Sequence, residues 1–239
     1  MPGKLFIFND ILKKHKFHLP VRYGISNRLA FPRLDPVDYL ESLFRTSAQI
    51  IQWREKDLDP ERTRVLVRQG VRLARKTGKI MLVNSFVDIA LEEGADGVHL
   101  TSSQDVKEVE YKRKRWGGKD FLMGKSVHSL KEAQKAAILG LDYVILGPIF
   151  PPLSKRSYRL PLGTSLLHEV VQRTDSPVIA VGGIDESRFE MIFRTGAAGV
   201  AGISWVSREL GEMIETQDSH QRKSTSSELK PGPNAAQRP

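Results

Sequence analysis

Eight short apolar runs of four or five residues recur along this chain, and each is followed by a stretch whose apolar residues repeat with helical spacing. The runs are Arg22–Ser26, Ile50–Trp53, Ile80–Val83, Gly97–Leu100, Phe121–Gly124, Tyr143–Leu146, Pro177–Val181 and Gly199–Ile203. The helical patterns fall at Pro36–Phe44, Pro60–Lys76, Val87–Glu93, Ser103–Tyr111, Leu130–Leu139, Ser165–Gln172, Glu186–Arg194 and Trp205–Ile214. Short strands that are apolar throughout are buried on both faces, as in a parallel sheet covered by helices. Pro36 and Pro60 suit a first helical turn, and Gly78, Gly94, Gly140 and Gly196 each follow a helix as a C-cap does. Eight βα units close most naturally into a single-domain α/β fold, the (β/α)8 TIM barrel. An open doubly wound sheet is second choice, because its Gly-x-Gly-x-x-Gly turn after the first strand is absent.

The barrel body is expected over residues 21–215, with an N-terminal arm or short helix at 1–20 and a disordered tail at 216–239. Most of the net charge of +9 lies in the two ends, and within the body it gathers at Lys112-Arg113-Lys114-Arg115. Without a nucleic-acid motif beside it, such a run reads as a solvated helix end, so no nucleic-acid partner is expected. No apolar run reaches the ~18 residues needed to span a bilayer. The absence of cysteine excludes disulfides, thiolate metal sites and a cysteine nucleophile. These features together suggest a cytoplasmic protein without a membrane partner.

In a TIM barrel the active site forms at the C-terminal ends of the strands. The second strand ends in Gln52-Trp53-Arg54-Glu55-Lys56, where alternation places Gln52, Arg54 and Lys56 on one side. That side offers two cations and an amide to an anion; the plain alternative is a strand end turning polar as it meets water. Other strand ends carry Asn84-Ser85, Thr101–Asp105, Lys125-Ser126-Val127-His128, the Pro-rich loop with Ser154-Lys155, Gly182-Gly183 and Ile203-Ser204. Gly182-Gly183 suits close approach of backbone to a phosphate, although a tight turn alone also accounts for it. Arg54, Lys56 and Lys155 suit a second anionic group such as a diphosphate. Asn84 and Ser126 supply directional hydrogen bonds to a heterocycle or phosphate. Asp105 is the carboxylate best placed for Mg2+, unless it only caps the following helix. His128 is a candidate for proton transfer or simply a loop hydrogen bond. His99, inside the fourth strand, reads as a satisfied core histidine.

These motifs resemble the family that contains thiamine phosphate synthase and thiazole tautomerase. The likeness rests on Gln52–Lys56, Asn84 with Asp88-Ile89-Ala90-Leu91, Ala95–Leu100, Ser126–Ser129, Gly147–Phe150 and Val181–Ile184. It implies a transferase of thiamine biosynthesis. Hydroxymethylpyrimidine diphosphate would lie on Gln52, Arg54, Lys56, Asn84, Ser126 and Lys155. Diphosphate would leave with help from Mg2+, and the nitrogen of a thiazole phosphate would capture the pyrimidine cation. The thiazole phosphate would lie on Gly182, Gly183, Ser154, Ile203 and Ser204, and Ser126, His128 and Lys155 would be the catalytic group. Two departures bear on this: Ser85 stands where the family has a metal-binding Asp, and Pro152 replaces a threonine. They leave open a thiazole tautomerase using His128 for proton transfer, and a ligand-binding paralogue without catalysis.

Overall fold

The computed structural model describes residues 4–101, 103–116, 120–151 and 160–228, with side chains described between 8 and 216. Eight parallel strands, β1 (Val21–Ile25), β2 (Ile50–Trp53), β3 (Ile80–Asn84), β4 (Gly97–Leu100), β5 (Leu122–Val127), β6 (Tyr143–Leu146), β7 (Val178–Val181) and β8 (Gly199–Gly202), pair in sequence order. Pairing of β1 with β8 closes the barrel, so the open sheet is excluded. The helices are α1 (Lys4–Lys14), α2 (Pro36–Leu43), α3 (Pro60–Thr77), α4 (Val87–Glu92), α5 (Val106–Arg115), α6 (Leu130–Ile138), α7 (Gly163–Gln172), α8 (Phe189–Phe193) and α9 (Ser204–Glu228).

Local chemistry sets the helix ends. Asp35 and Asp59 cap α2 and α3 by accepting the backbone N–H groups of Val37 and Arg62, and Pro36 and Pro60 open the first turns. Gly78 ends α3 at φ 71° in the left-handed region. Most boundaries differ from the sequence reading by no more than two residues; β5, α5, α8 and α9 differ by more. β5 runs on to Val127, because Ser126 and Val127 stay in register with Ile145 and Leu146 of β6. The helix expected from Ser103 starts at Val106, behind an Asp105 cap. α9 continues to Glu228 instead of giving way to a disordered tail at 216; no Gly or Pro interrupts the chain between Gly211 and Pro231.

Alternation divides each strand between two cores. Outward residues such as Ile51, Trp53, Met81, Val83, Val98, Met123 and Leu146 pack beneath the helices. Inward residues, including Val21, Tyr23, Ile50, Ile80, Leu82, Leu122, Tyr143, Ile145 and Ile179, fill the lumen. Phe8, Ile11 and Leu12 of α1 join this inner cluster. They meet the first residues of several strands, so α1 closes the N-terminal end of the barrel. The basic run is not a free patch: Arg113 binds Asp142 at 3.0 Å, Lys112 binds Asp88 at 3.0 Å, and Lys114 lies 3.4 Å from Glu110.

Gly124 faces the lumen opposite Tyr143, and a Cβ there would fall 1.9 Å from the ring. Gly124→Ala must displace a fully buried tyrosine. Chemical denaturation should register a loss of about 1–3 kcal/mol; a loss below ~0.5 kcal/mol would show that the ring is not held there.

Candidate active site

The mouth of the barrel rests on a polar layer inside an otherwise apolar lumen. Tyr23 donates to Gln52 Oε1 at 3.0 Å, and its hydroxyl lies 3.1 Å from that of Tyr143. The Tyr143 hydroxyl is 3.3 Å from His99 Nδ1, and His99 Nε2 is 2.9 Å from Ser126 Oγ. On the other side, Gln52 Nε2 donates to Asn84 Oδ1 at 2.9 Å, and Asn84 Nδ2 donates to Ser85 Oγ at 2.7 Å. Gln52, Asn84 and Ser126 therefore come together, joined through His99 and two tyrosines. Burial, reinforced by the positive charge of Arg54, pushes the His99 pKa down to about 3, so the ring is neutral. Burial also raises both tyrosine pKa values, so both phenols keep their protons.

Gln52–Lys56 divides by alternation. Ile50 and Gln52 face the lumen and Trp53 faces the helices, so the inward register passes next to Arg54. The Arg54 side chain is half-buried, and among the described residues its guanidinium has no hydrogen-bond or ion-pair partner. Its backbone N–H donates to Ser26 Oγ at 2.8 Å, which anchors the strand end. Glu55 does not neutralise it. The Glu55 carboxylate is buried and accepts the backbone N–H of Arg28 at 3.1 and 3.2 Å. Lys56 is exposed beyond the rim.

Across the mouth, Gly182 and Gly183 have φ of 98° and 62°. A Cβ on Gly183 would meet Pro151 O at 2.1 Å, and one on Gly182 would meet Pro148 Cα at 2.6 Å. Packing against the loop after β6 thus requires both glycines, whether or not a ligand binds there. Phe150 N–H donates to Gly182 O at 3.0 Å and ties the two loops together. Arg188 adds a second tie that motif reading missed. It donates to Gly183 O while its guanidinium lies over the Phe150 ring, 4.6 Å from the centroid. No sequence signal marks it, since it falls on a short 3-10 turn, Glu186–Arg188, before α8. Ile203 and Ser204 sit where β8 passes into α9.

Asp105 stands on the Ser126–His128 side of the mouth. Its carboxylate caps α5 by accepting the Lys107 N–H at 2.9 Å, and it lines a cleft of about 460 Å3 with Lys125, Ser126, His128 and Lys135. Among the described residues no three His, Asp or Glu side chains gather as a metal site. With Ser85 in the other expected position, Asp105 is the carboxylate left for a Mg2+ ion, which takes one or two carboxylates plus substrate phosphates, and the cap occupies only its Oδ1. His128 stands at the rim, where its Nδ1–H donates to Gly147 O at 2.6 Å. This leaves Nε2 as the ring atom able to take a proton. Ser154 and Lys155 lie outside the described residues.

Comparison with known proteins places this geometry. The family model described as thiamine monophosphate synthase matches residues 23–206. A putative thiamine-phosphate synthase 2 of Aquifex aeolicus is 34% identical over 186 residues, covering 78% of this chain and 97% of that protein. The thiamine-phosphate synthase of Methanosarcina barkeri is 36% identical over 200 residues, 83% of this chain and 86% of its own. Among solved structures, thiamine phosphate pyrophosphorylase from Pyrococcus furiosus superposes with a TM-score of 0.67 at 26% identity, covering 86% of this chain and 98% of that one.

The neutral His99 has a consequence for stability. The unfolded ring titrates near 6.5 and the folded ring near 3. Between those values the unfolded chain binds a proton that the folded protein excludes. Stability is therefore full above pH 6.5 and falls as pH drops below it, by up to ~1.4 kcal/mol per unit from this residue. Urea denaturation between pH 6.5 and 4 should give a shallower slope for His99→Gln than for the unaltered protein. Identical slopes would mean His99 titrates normally.

Proposed function

The chain belongs to the thiamine monophosphate synthase family, and from that premise we propose that its barrel mouth joins hydroxymethylpyrimidine diphosphate to thiazole phosphate. The bond between the pyrimidine methylene and the diphosphate oxygen breaks, the diphosphate leaves with the bonding electrons, and the thiazole nitrogen donates a pair to the methylene carbon. No side-chain nucleophile is needed. The pyrimidine lies over Gln52, Asn84 and Ser126. The diphosphate lies against Arg54, with Lys56 from the rim and with Lys155 as a further cation assigned from the sequence alone, and the thiazole phosphate lies against Gly182, Gly183, Ile203 and Ser204. Cations stabilise the charge that grows on the departing diphosphate. Arg188 holds the thiazole-side turn in place. Asp105 would hold Mg2+ through the oxygen its cap leaves free, and the ion would neutralise charge on the departing diphosphate.

The observation that carries this reading is Arg54, a half-buried cation without a partner among the described residues, beside a neutral polar floor. A half-buried cation without a protein partner is available to an anion, and the attraction is less screened there than in bulk water. His128 supports a second reading, since its Nδ1–H is engaged and its Nε2 is left as the lone-pair nitrogen. That arrangement suits a thiazole tautomerase.

Incubation with the pyrimidine diphosphate, the thiazole phosphate and Mg2+ should release diphosphate and form thiamine phosphate. Binding of both without turnover would overturn the synthase. Isomerisation of a thiazole carboxylate phosphate, lost in His128→Ala, would establish the tautomerase. Arg54→Ala should raise KM for the pyrimidine diphosphate by roughly 10- to 100-fold, the worth of a hydrogen bond to a charged group. KM for the thiazole phosphate should change less than about threefold. Equal effects on both substrates would contradict the placement of the diphosphate.

A further inference from the structure

Six hydrogen bonds run without a break from Ser126 through His99, Tyr143, Tyr23, Gln52 and Asn84 to Ser85, at separations of 2.7 to 3.3 Å. Each hydroxyl in the chain has one proton, and a neutral imidazole has one. Direction therefore propagates from one end. Gln52 turns its Nε2 toward Asn84 and gives it one hydrogen, so its Oε1 faces Tyr23 and takes the Tyr23 proton. Tyr23 then has none for Tyr143, so Tyr143 donates to Tyr23. The Tyr143 oxygen is left as an acceptor for His99, which places the imidazole proton on Nδ1. The bare Nε2 then takes the Ser126 proton. The opposite order would require the Gln52 and Asn84 amides to turn over together, and Gln52 is only 1% exposed.

We propose that this chain is proton-ordered, and that it fixes His99 as the Nδ1–H tautomer so that Ser126 meets a ligand only as a hydrogen-bond acceptor. His99, Tyr143 and Tyr23 are then positioning residues acting through Ser126. The ligand atom opposite Ser126 must carry an N–H, as an exocyclic amino group does. A carbonyl or a bare ring nitrogen at that point would face a lone pair and be rejected. The identity of the heterocycle rests on the synthase reading; the tautomer does not. Burial of the imidazole, which keeps it neutral, is consistent with a single-proton ring.

Long-range 15N–1H NMR of the protein without substrate reads the tautomer directly, with the His99 signals assigned by their loss in His99→Gln. A neutral Nδ1–H ring is expected. Tyr143→Phe removes the acceptor at Nδ1, and Tyr23→Phe frees the Tyr143 proton to turn toward His99. Each should shift the ring to Nε2–H, and either variant serves if the other does not fold. An Nε2–H ring in the unaltered protein would overturn the proposal, as would an Nδ1–H ring retained in both variants. In a synthase assay, Tyr143→Phe should raise KM for the amino-pyrimidine diphosphate about tenfold, the loss of one well-oriented hydrogen bond, with a much smaller effect on KM for the thiazole phosphate. Absence of turnover would overturn the synthase reading and leave the NMR result standing on its own.

Discussion

The contact between the hydroxyls of Tyr23 and Tyr143 is the point on which the barrel mouth stands. An eight-stranded barrel has a lumen just wide enough for side chains to fill, so whatever lies at mid-height decides what can be presented above it. Here two phenols meet there, the Phe8 ring of α1 lies 5.5 Å from that of Tyr143, and the Cβ-free strand position at Gly124 makes room for that tyrosine. Each hydroxyl is buried beyond the reach of water and is satisfied by other members of the same layer. Losing one partner would strand a buried polar group, at a cost of about 1–3 kcal/mol. The layer is consequently rigid, and it holds Gln52, Asn84 and Ser126 at set positions.

Electrostatics follow from the same layer. His99 is the imidazole beneath the mouth, and burial together with Arg54 keeps it uncharged. Arg54 is accordingly a cation above a neutral, ordered floor, with Glu55 turned away to Arg28. Such a site meets an anion with its polar groups already bonded to one another. Its dipoles and charge are already oriented, which is the condition under which hydrogen bonds and ions stabilise a transition state most. On the opposite side, the Gly182–Gly183 turn is tied to the loop after β6 through Phe150 and Arg188. The two halves of the mouth thus differ, one charged and anchored from the lumen, the other backbone-lined and anchored from outside.

Much of this was legible in the sequence. Eight apolar runs separated by capped helices define a barrel because the period of burial is local, and Pro36, Pro60 and Gly78 act within one helical turn. The strand-end rule also located Gln52, Arg54, Asn84 and Ser126, since alternation decides which face a residue takes. His99 was read as a satisfied core residue, and it is buried and bonded at both nitrogens. What the pattern could not convey was that its partners, Tyr143 and Ser126, tie it to the floor of the site. That pairing joins β4, β5 and β6 across the lumen, and no local period encodes it. Asp105 shows a related limit: a carboxylate before a helix has the same sequence appearance as a metal ligand or a cap, and here it caps α5 while lining the cleft that also holds Ser126 and His128. Arg188 was invisible because its role depends on a ring in the loop after the neighbouring strand, β6.

A crystal structure of the protein bound to hydroxymethylpyrimidine diphosphate tests the central claim most directly. The account predicts the pyrimidine ring within hydrogen-bond distance of Asn84 and Ser126, with its amino group toward Ser126 and the diphosphate against Arg54. A diphosphate seated on the Gly182–Gly183 turn, with Arg54 unengaged, would contradict it.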